Sequence, residues 1–130
     1  MTQQAAQDEA SRLEAEITRS EDADETVELA KLYLALGKLR MILGEEAAGL
    51  EALRSAAGLA GLYKAQRVHA EARLELAEAA IRHGDPTTAC EHWQMARMAF
   101  LDEGARAEGA GVDRRMRAQG CPTDWVLTDF

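Results

Sequence analysis

Apolar and polar positions along the chain follow a helical pattern, and this pattern recurs after forty residues. At that offset apolar residues fall on apolar residues and glycine falls on glycine: Ala30 on Ala70, Leu34 on Leu74, Leu36 on Leu76, Met41 on Ile81, Gly44 on Gly84, Leu53 on Trp93, and Ala56 on Ala96. A third, partial copy places Ala110 on Ala70 and Met116 on Leu76. Regular self-similarity of this kind is typical of stacked helical arrays.

Helix-capping signals divide the repeats into individual helices. The clearest boundary is Gly84-Asp85-Pro86, because glycine suits the left-handed position after a helix, aspartate caps the next helix, and proline fits its first turn. The same kinds of signal predict five helices. The first begins at the capping box at 22–25 and ends at about 43, and the other four cover about 45–60, 64–83, 86–102 and 105–118.

The segment before the repeats is acidic and has a weaker pattern. Apolar residues at helical spacing predict an amphipathic helix over 3–19, and a disordered acidic arm is the alternative. The predicted fold is all-α, a short α-solenoid of antiparallel helix pairs with about six helices. It comprises an N-terminal helix or arm (1–25), a helical repeat domain (26–118) and an aromatic C-terminal tail (119–130).

The spacing of small and large residues within each unit resembles the tetratricopeptide repeat. The residues that carry the resemblance are Tyr33, Leu36, Gly37, Gly44, Gly49, Leu53 and Ala56 in the first unit, and Leu76, Ala77, Gly84, Ala89, Trp93 and Ala96 in the second. Small residues let paired helices approach closely, and large ones fill the space between them. The period of forty exceeds the usual one of about 34, and HEAT or armadillo arrays are a minor alternative.

This resemblance implies a concave groove lined by the first helix of each pair. The positions that would face it are Lys31, Leu34, Lys38, Met41, Glu71, Leu74, Glu78, Ile81 and Arg114. Leu34 and Leu74 stand where some family members carry an asparagine that clamps a terminal carboxylate, so the expected ligand is an amphipathic helix or an extended apolar segment. The alternative for each of these residues is ordinary packing or a solvated charge.

Charge and cysteine content exclude several classes of protein. The net charge of −8 is concentrated in residues 1–29, and such an acidic segment repels phosphates, so no nucleic acid is expected as a ligand. Neither a membrane span nor a signal peptide is predicted. Cys90 and Cys121 lack CxxC spacing; a single disulfide stays open, but Cys90 is expected to be a packed thiol in a cytoplasmic protein.

No catalytic, cofactor or metal site is predicted, and the chain is not expected to be an enzyme. His69, His83 and His92 have no partner at metal-ligand spacing. A cluster of three basic residues, Arg114, Arg115 and Arg117, is expected to solvate the terminal helix or to pair with the acidic arm, with anion binding as the alternative.

The expected function is a protein–protein interaction module, an adaptor or a chaperone similar in size and acidity to small repeat chaperones of bacteria. Two alternatives remain: an anion-binding or enzymatic accessory domain, and a self-assembling protein that dimerises through its tail. That tail contains Trp125, Leu127 and Phe130, which are expected either to cover the last helix or to dock on another chain.

Overall fold

The computed structural model describes residues 2–122, which form six α-helices and no strand. The helices are α1 (Gln3–Asp22), α2 (Thr26–Ile42), α3 (Glu46–Leu62), α4 (Gln66–Arg82), α5 (Pro86–Asp102) and α6 (Arg106–Ala118). Each helix packs against the next one along the chain, and α2 also packs against α4. The prediction of an all-α solenoid of about six helices is confirmed.

The helices are spaced at equal intervals along the chain. Helices α2 to α5 each contain 17 residues. Successive helices from α2 to α6 start twenty residues apart. The forty-residue repeat in the sequence is therefore one pair of equal helices, and α1 and α6 extend the array by one helix at each end.

A residue with positive φ follows each of the first five helices, and these residues are also twenty positions apart. They are Asp24 (57°), Gly44 (79°), Lys64 (59°), Gly84 (72°) and Gly104 (83°). The next backbone N–H then bonds back to the helix, as in the 2.8 Å bonds from Ala65 to Ala60 and from Ala105 to Phe100. The same turn thus reverses the chain at every junction.

Helix α1 is an ordered part of the array. Its apolar stripe of Ala6, Ala10, Leu13 and Ile17 is buried against α2, and the Thr2 side chain caps its first turn. The helix continues to Asp22, three residues beyond the predicted end. The alternative of a disordered arm is therefore wrong for residues 3–22.

Small residues allow the two backbones of the α2–α3 pair to approach closely. A Cβ at Gly37 would lie 2.7 Å from Leu53 Cγ and 3.1 Å from the Gly49 carbonyl oxygen. A Cβ at Gly49 would lie 3.2 Å from the Gly37 carbonyl oxygen. In the α4–α5 pair, Ala77 and Ala89 hold the equivalent positions, and both are fully buried. The predicted role of these small residues is confirmed.

The two cysteines form a disulfide, which corrects the expectation of a packed thiol at Cys90. Cys90 on α5 is bonded to Cys121, which follows α6; their Cα atoms are 5.7 Å apart, and both residues are buried. The bond fixes the end of the last helix to its neighbour, where no further helix covers it in the described chain. Among the described residues no helix combines the length and the apolar character needed to cross a membrane.

We expect Gly37→Ala to destabilise the fold by about 1–3 kcal/mol, because Leu53 is fully buried and has little room to move. Gly58→Ala is the matched control on the exposed side of α3, where an added Cβ meets nothing within 4 Å. The control should gain up to about 1 kcal/mol from helix propensity. Urea unfolding measures both changes, and equal effects at the two positions would contradict close packing at Gly37.

We expect reduction of the disulfide to lower the thermal midpoint of the protein. The bond closes a loop across a separation of 31 residues, which corresponds to about 3–4 kcal/mol in the chain-entropy account. Calorimetry with and without reductant measures the loss. The Cys90→Ala/Cys121→Ala variant should match the reduced protein and no longer respond to reductant; an unchanged midpoint on reduction would disprove the stabilising role.

Candidate functional site

The inner face of the array is formed by α2, α4 and α6. The backbones of α2 and α4 approach closely, whereas those of α3 and α5 do not, and side-chain ion pairs join α4 to α6. The side of the array on which the helices are closer is the concave side of a curved stack. The first helices of the pairs therefore line the groove, as the resemblance implied.

A first cleft of about 400 Å³ opens between the C-terminal ends of α2 and α4. Met41 and Ile42 supply its apolar part, and Lys38 and Glu75 are among its charged lining residues. Ile42 is 79% exposed, which is unusual for a large aliphatic side chain. This end of the groove is open and partly apolar.

A second cleft of about 320 Å³ opens between α4 and α6 and is lined from below by α5. Its apolar residues are Leu74 from α4, Trp93 and Phe100 from α5, and Val112 from α6. The two aromatic residues are buried members of the core that extends from α4 to α6. The core therefore lies directly beneath the groove at this point.

Two arginines lie over the aromatic rings of the second cleft. The guanidinium carbon of Arg115 is 5.2 Å from the centre of the Trp93 ring, and that of Arg67 is 5.6 Å from the centre of Phe100. Both distances are within the range of cation–π attraction. The arginines therefore form charged rims directly over the apolar floor.

Ion pairs between α4 and α6 hold these arginines across the cleft. Arg115 binds Glu78, and Arg67 Nη2 lies 3.0 Å from Glu108 Oε2. The hydrogen bond from Arg67 holds the pKa of the Glu108 carboxyl below its usual value and raises that of Arg67. Each pair is solvent-exposed, so it contributes little to the stability of the fold. The arginines can therefore move aside at low cost.

The indole of Trp93 has an unused hydrogen-bond donor. Trp93 is 0% exposed, and its Nε1–H has no acceptor among the described residues. A buried donor without an acceptor costs about 1–3 kcal/mol. Such a group in a native fold calls for an explanation. This donor is enclosed by the core and is not open to a bound segment.

The structure separates the predicted groove residues into two groups. Leu34 is 7% exposed and packs in the core between α2, α3 and α4, so it is not available to a ligand. The residues that are at least partly exposed are Lys31, Lys38, Met41, Glu71, Leu74, Glu78, Ile81 and Arg114. Of these, Lys38 and Met41 line the first cleft, and Leu74 and Glu78 line the second.

The predicted basic cluster on α6 is divided between different partners. Arg115 points to Glu78 and Trp93, while Arg117 lies 3.3 Å from Asp113 on its own helix. Arg114 is exposed. The cluster therefore does not form one joint anion site. The predicted tail residues Trp125, Leu127 and Phe130 lie outside the described residues.

Sequence reasoning missed the part played by Arg67, Phe100 and Glu108. They come from three different segments of the chain, and only the packing of α4, α5 and α6 brings them together. Trp93 was expected simply to fill the space between helices. Neither its unpaired donor nor its place in the cleft leaves a signal in the local pattern.

Two of the three histidines contact a partly buried arginine. Arg73 Nε lies 3.2 Å from His69 Nε2, and Arg73 Nη1 lies 3.1 Å from His92 Nδ1. Burial lowers the pKa of both histidines, and the charge of Arg73 lowers them further. His83 instead lies 2.9 Å from Glu46 Oε1. No group of three potential metal ligands occurs within residues 2–122.

Comparison with known proteins gives no match to a family model and no significant match to a curated protein or a solved structure. The tetratricopeptide assignment therefore stays a prediction from the repeat pattern.

We expect the stability of the protein to fall between pH 7.5 and pH 5.5. The unfolded histidines take up protons near pH 6.5, whereas those of the folded state, with lowered pKa values, resist protonation until lower pH. The stability present above about pH 6.5 is therefore lost as pH falls through the folded pKa values. The thermal midpoint should show this slope.

The double variant His69→Gln/His92→Gln should lose most of that slope, since glutamine can still accept a hydrogen bond from Arg73. Measurement above pH 5.5 avoids the titration of Glu46 and Glu108, whose pKa values lie below the ordinary 4.5. An identical slope in the variant would show that other groups control stability in this range.

Proposed function

We propose that this chain is a non-catalytic protein-interaction module of tetratricopeptide type. It holds an apolar segment of another protein on the inner face formed by α2, α4 and α6. The observation that carries this proposal is the second cleft, where Trp93 is at once a buried core residue and part of a groove wall. A side chain of the partner inserts there, against the partly exposed Leu74.

The size of the cleft supports a side chain as its occupant. At about 320 Å³ it lies at the lower end of the range of ligand pockets, about 300–1,000 Å³. The first cleft, with exposed Ile42, continues the groove toward α2. A helix or an extended peptide can contact both clefts.

The charges of the groove support an acidic flank on the partner segment. Lys31, Lys38 and Arg114 are exposed, and none of them forms an ion pair with another described residue. They lie on α2 and α6, at the two sides of the groove. Acidic residues on either side of an apolar anchor would match this distribution and would fix its orientation.

The paired charges within the second cleft favour binding over catalysis. Glu78 and Glu108 are each held by an arginine, and a carboxylate in an ion pair is a poor proton donor. Adaptor and chaperone roles both fit such a groove. A cytoplasmic location remains a prediction, and the disulfide weighs against it because disulfides persist in oxidising compartments.

The proposal is tested with peptides selected from a displayed random library on the disulfide-bonded protein. We expect selected peptides to combine an apolar anchor with flanking acids. Leu74→Glu should weaken their binding by about tenfold or more, because it places a charge in the apolar cleft. Met98→Glu, at an exposed position of α5, is the matched control and should leave affinity unchanged.

Nuclear magnetic resonance provides a direct readout at Trp93. In a Trp125→Phe background the indole N–H signal of Trp93 should shift on binding, because the ring lies at the floor of the cleft. The milder variant Lys38→Glu should also weaken binding, because it opposes the acidic flank, and it guards against misfolding of Leu74→Glu. Peptides that bind all variants equally and leave the indole signal unchanged would disprove a site in this groove.

A further inference from the structure

Arg73 differs from the other partly buried arginines of the described chain in its partners. Three arginines are partly buried: Arg40, Arg73 and Arg97. Arg40 lies 3.0 Å from Glu14, and Arg97 lies 3.1 Å from Asp113. Arg73 contacts two histidines instead and forms no ion pair within residues 2–122. A desolvated cation without a counter-ion is costly, which points to an anion from outside the chain.

The contacts of Arg73 determine the protonation of both histidines. A guanidinium can only donate hydrogen bonds, so His69 Nε2 and His92 Nδ1 must each present a lone pair. The neutral His92 ring then carries its hydrogen on Nε2. His92 is therefore oriented as a hydrogen-bond donor on the edge that faces away from Arg73.

His92 and Arg54 line a pocket of about 180 Å³ on the other side of α4 from the groove. The pocket lies between α3, α4 and α5, with Leu50, Leu76 and Ala79 among its apolar residues. Arg54 is close enough to His92 to lower its pKa. Two donors thus converge on a space smaller than the usual range for drug-sized ligands.

The remaining charged groups at this pocket are already engaged. Asp85 lies at the start of α5, where its Oδ1 accepts a 3.2 Å hydrogen bond from the Thr88 backbone. His83 at the end of α4 binds Glu46. Among the residues that line the pocket, Asp85 is the carboxylate and Arg54 the guanidinium, so their charges offset one another. Arg73 adds a positive charge behind His92, and the donors lie on the side of the pocket formed by Arg54 and His92.

We propose that this pocket binds a small tetrahedral oxyanion, with Arg54 and the His92 Nε2–H as its direct ligands. Arg73 is a positioning residue, which fixes the His92 ring and adds positive charge behind it. The anion is either free or carried as a phosphoryl group on a peptide. The site is independent of the proposed groove, since it is built from α3, α4 and α5.

Calorimetric titration of the full chain with inorganic sulfate, which keeps its charge from pH 5.5 to 7.5, tests the proposal. We expect Arg54→Gln to weaken binding by about tenfold or more, because a charge-assisted contact is lost. Arg114→Gln removes the same charge from an exposed position on α6 and is the matched control. Equal effects of the two variants would overturn a specific site, as would no detectable binding of sulfate to the unaltered chain.

Protonation of His92 gives an independent readout. A bound anion favours the imidazolium, so sulfate should raise the pKa of the His92 ring measured by nuclear magnetic resonance, and binding should strengthen from pH 7.5 to 5.5. Arg73→Gln should raise the pKa of the His92 ring in the absence of sulfate, because it removes a nearby charge that lowers it. A His92 titration that sulfate leaves unchanged would contradict the proposal, even if Arg54→Gln had lost its fold.

A third titration distinguishes the two sources of the anion. A phosphoserine peptide that binds more tightly than inorganic phosphate, and loses this affinity in Arg54→Gln, would identify a peptide-borne group. Equal affinities that depend on Arg54 would identify the free anion. Binding of either probe that is independent of Arg54 would overturn the site.

Discussion

One residue in the left-handed conformation follows each of the first five helices, and the spacing of these residues fixes where every later helix lies. Since the turns recur every twenty residues, the helices between them have equal length, and each one returns antiparallel to the last. L-residues reach this conformation only at a cost, which glycine avoids. Asp24 and Lys64 bear that cost at two of the five turns. The regular turn is therefore a requirement of the array that holds even where the sequence does not supply the best residue for it.

The stacked antiparallel helices bury their apolar sides against one another and leave a groove on the inner face of the array. Close packing at Gly37 and Gly49 brings α2 and α3 together, and Ala77 and Ala89 do the same for α4 and α5. The two pairs contact one another mainly through α3 and α4 and to a lesser extent through α2 and α4, while the backbones of α3 and α5 stay apart, which opens the stack on the outer side. Two kinds of space result. The inner clefts lie over apolar core residues beneath charged rims, while the outer pocket contains donors from α3 and α5.

The sequence predicts most of this fold because the signals that define it come from residues close together in the chain. Helical periodicity, the Gly84-Asp85-Pro86 boundary and the small residues at the helix seams each act within one helix or one pair. The end of α3 was placed at about 60 instead of Leu62 because its turn uses Lys64, which carries no glycine signal. Contacts between segments far apart were not predictable in this way. The Cys90–Cys121 bond was one of several open possibilities, and the burial of Leu34 depends on how closely α2 approaches α3 and α4.

The inner cleft and the outer pocket differ more in the charges around them than in their shape. In the inner cleft, Arg67 and Arg115 have carboxylate partners at the surface, so their charges are balanced and their side chains can yield to an incoming segment. Behind the outer pocket, Arg73 is partly buried and has two neutral histidines as partners. Ion-paired arginines over an apolar floor suit burial of a hydrophobic side chain, whereas hydrogen-bond donors backed by an unpaired guanidinium suit a compact anion. The same helix, α4, thus contributes to two surfaces with opposite requirements, Leu74 on one side and Arg73 on the other.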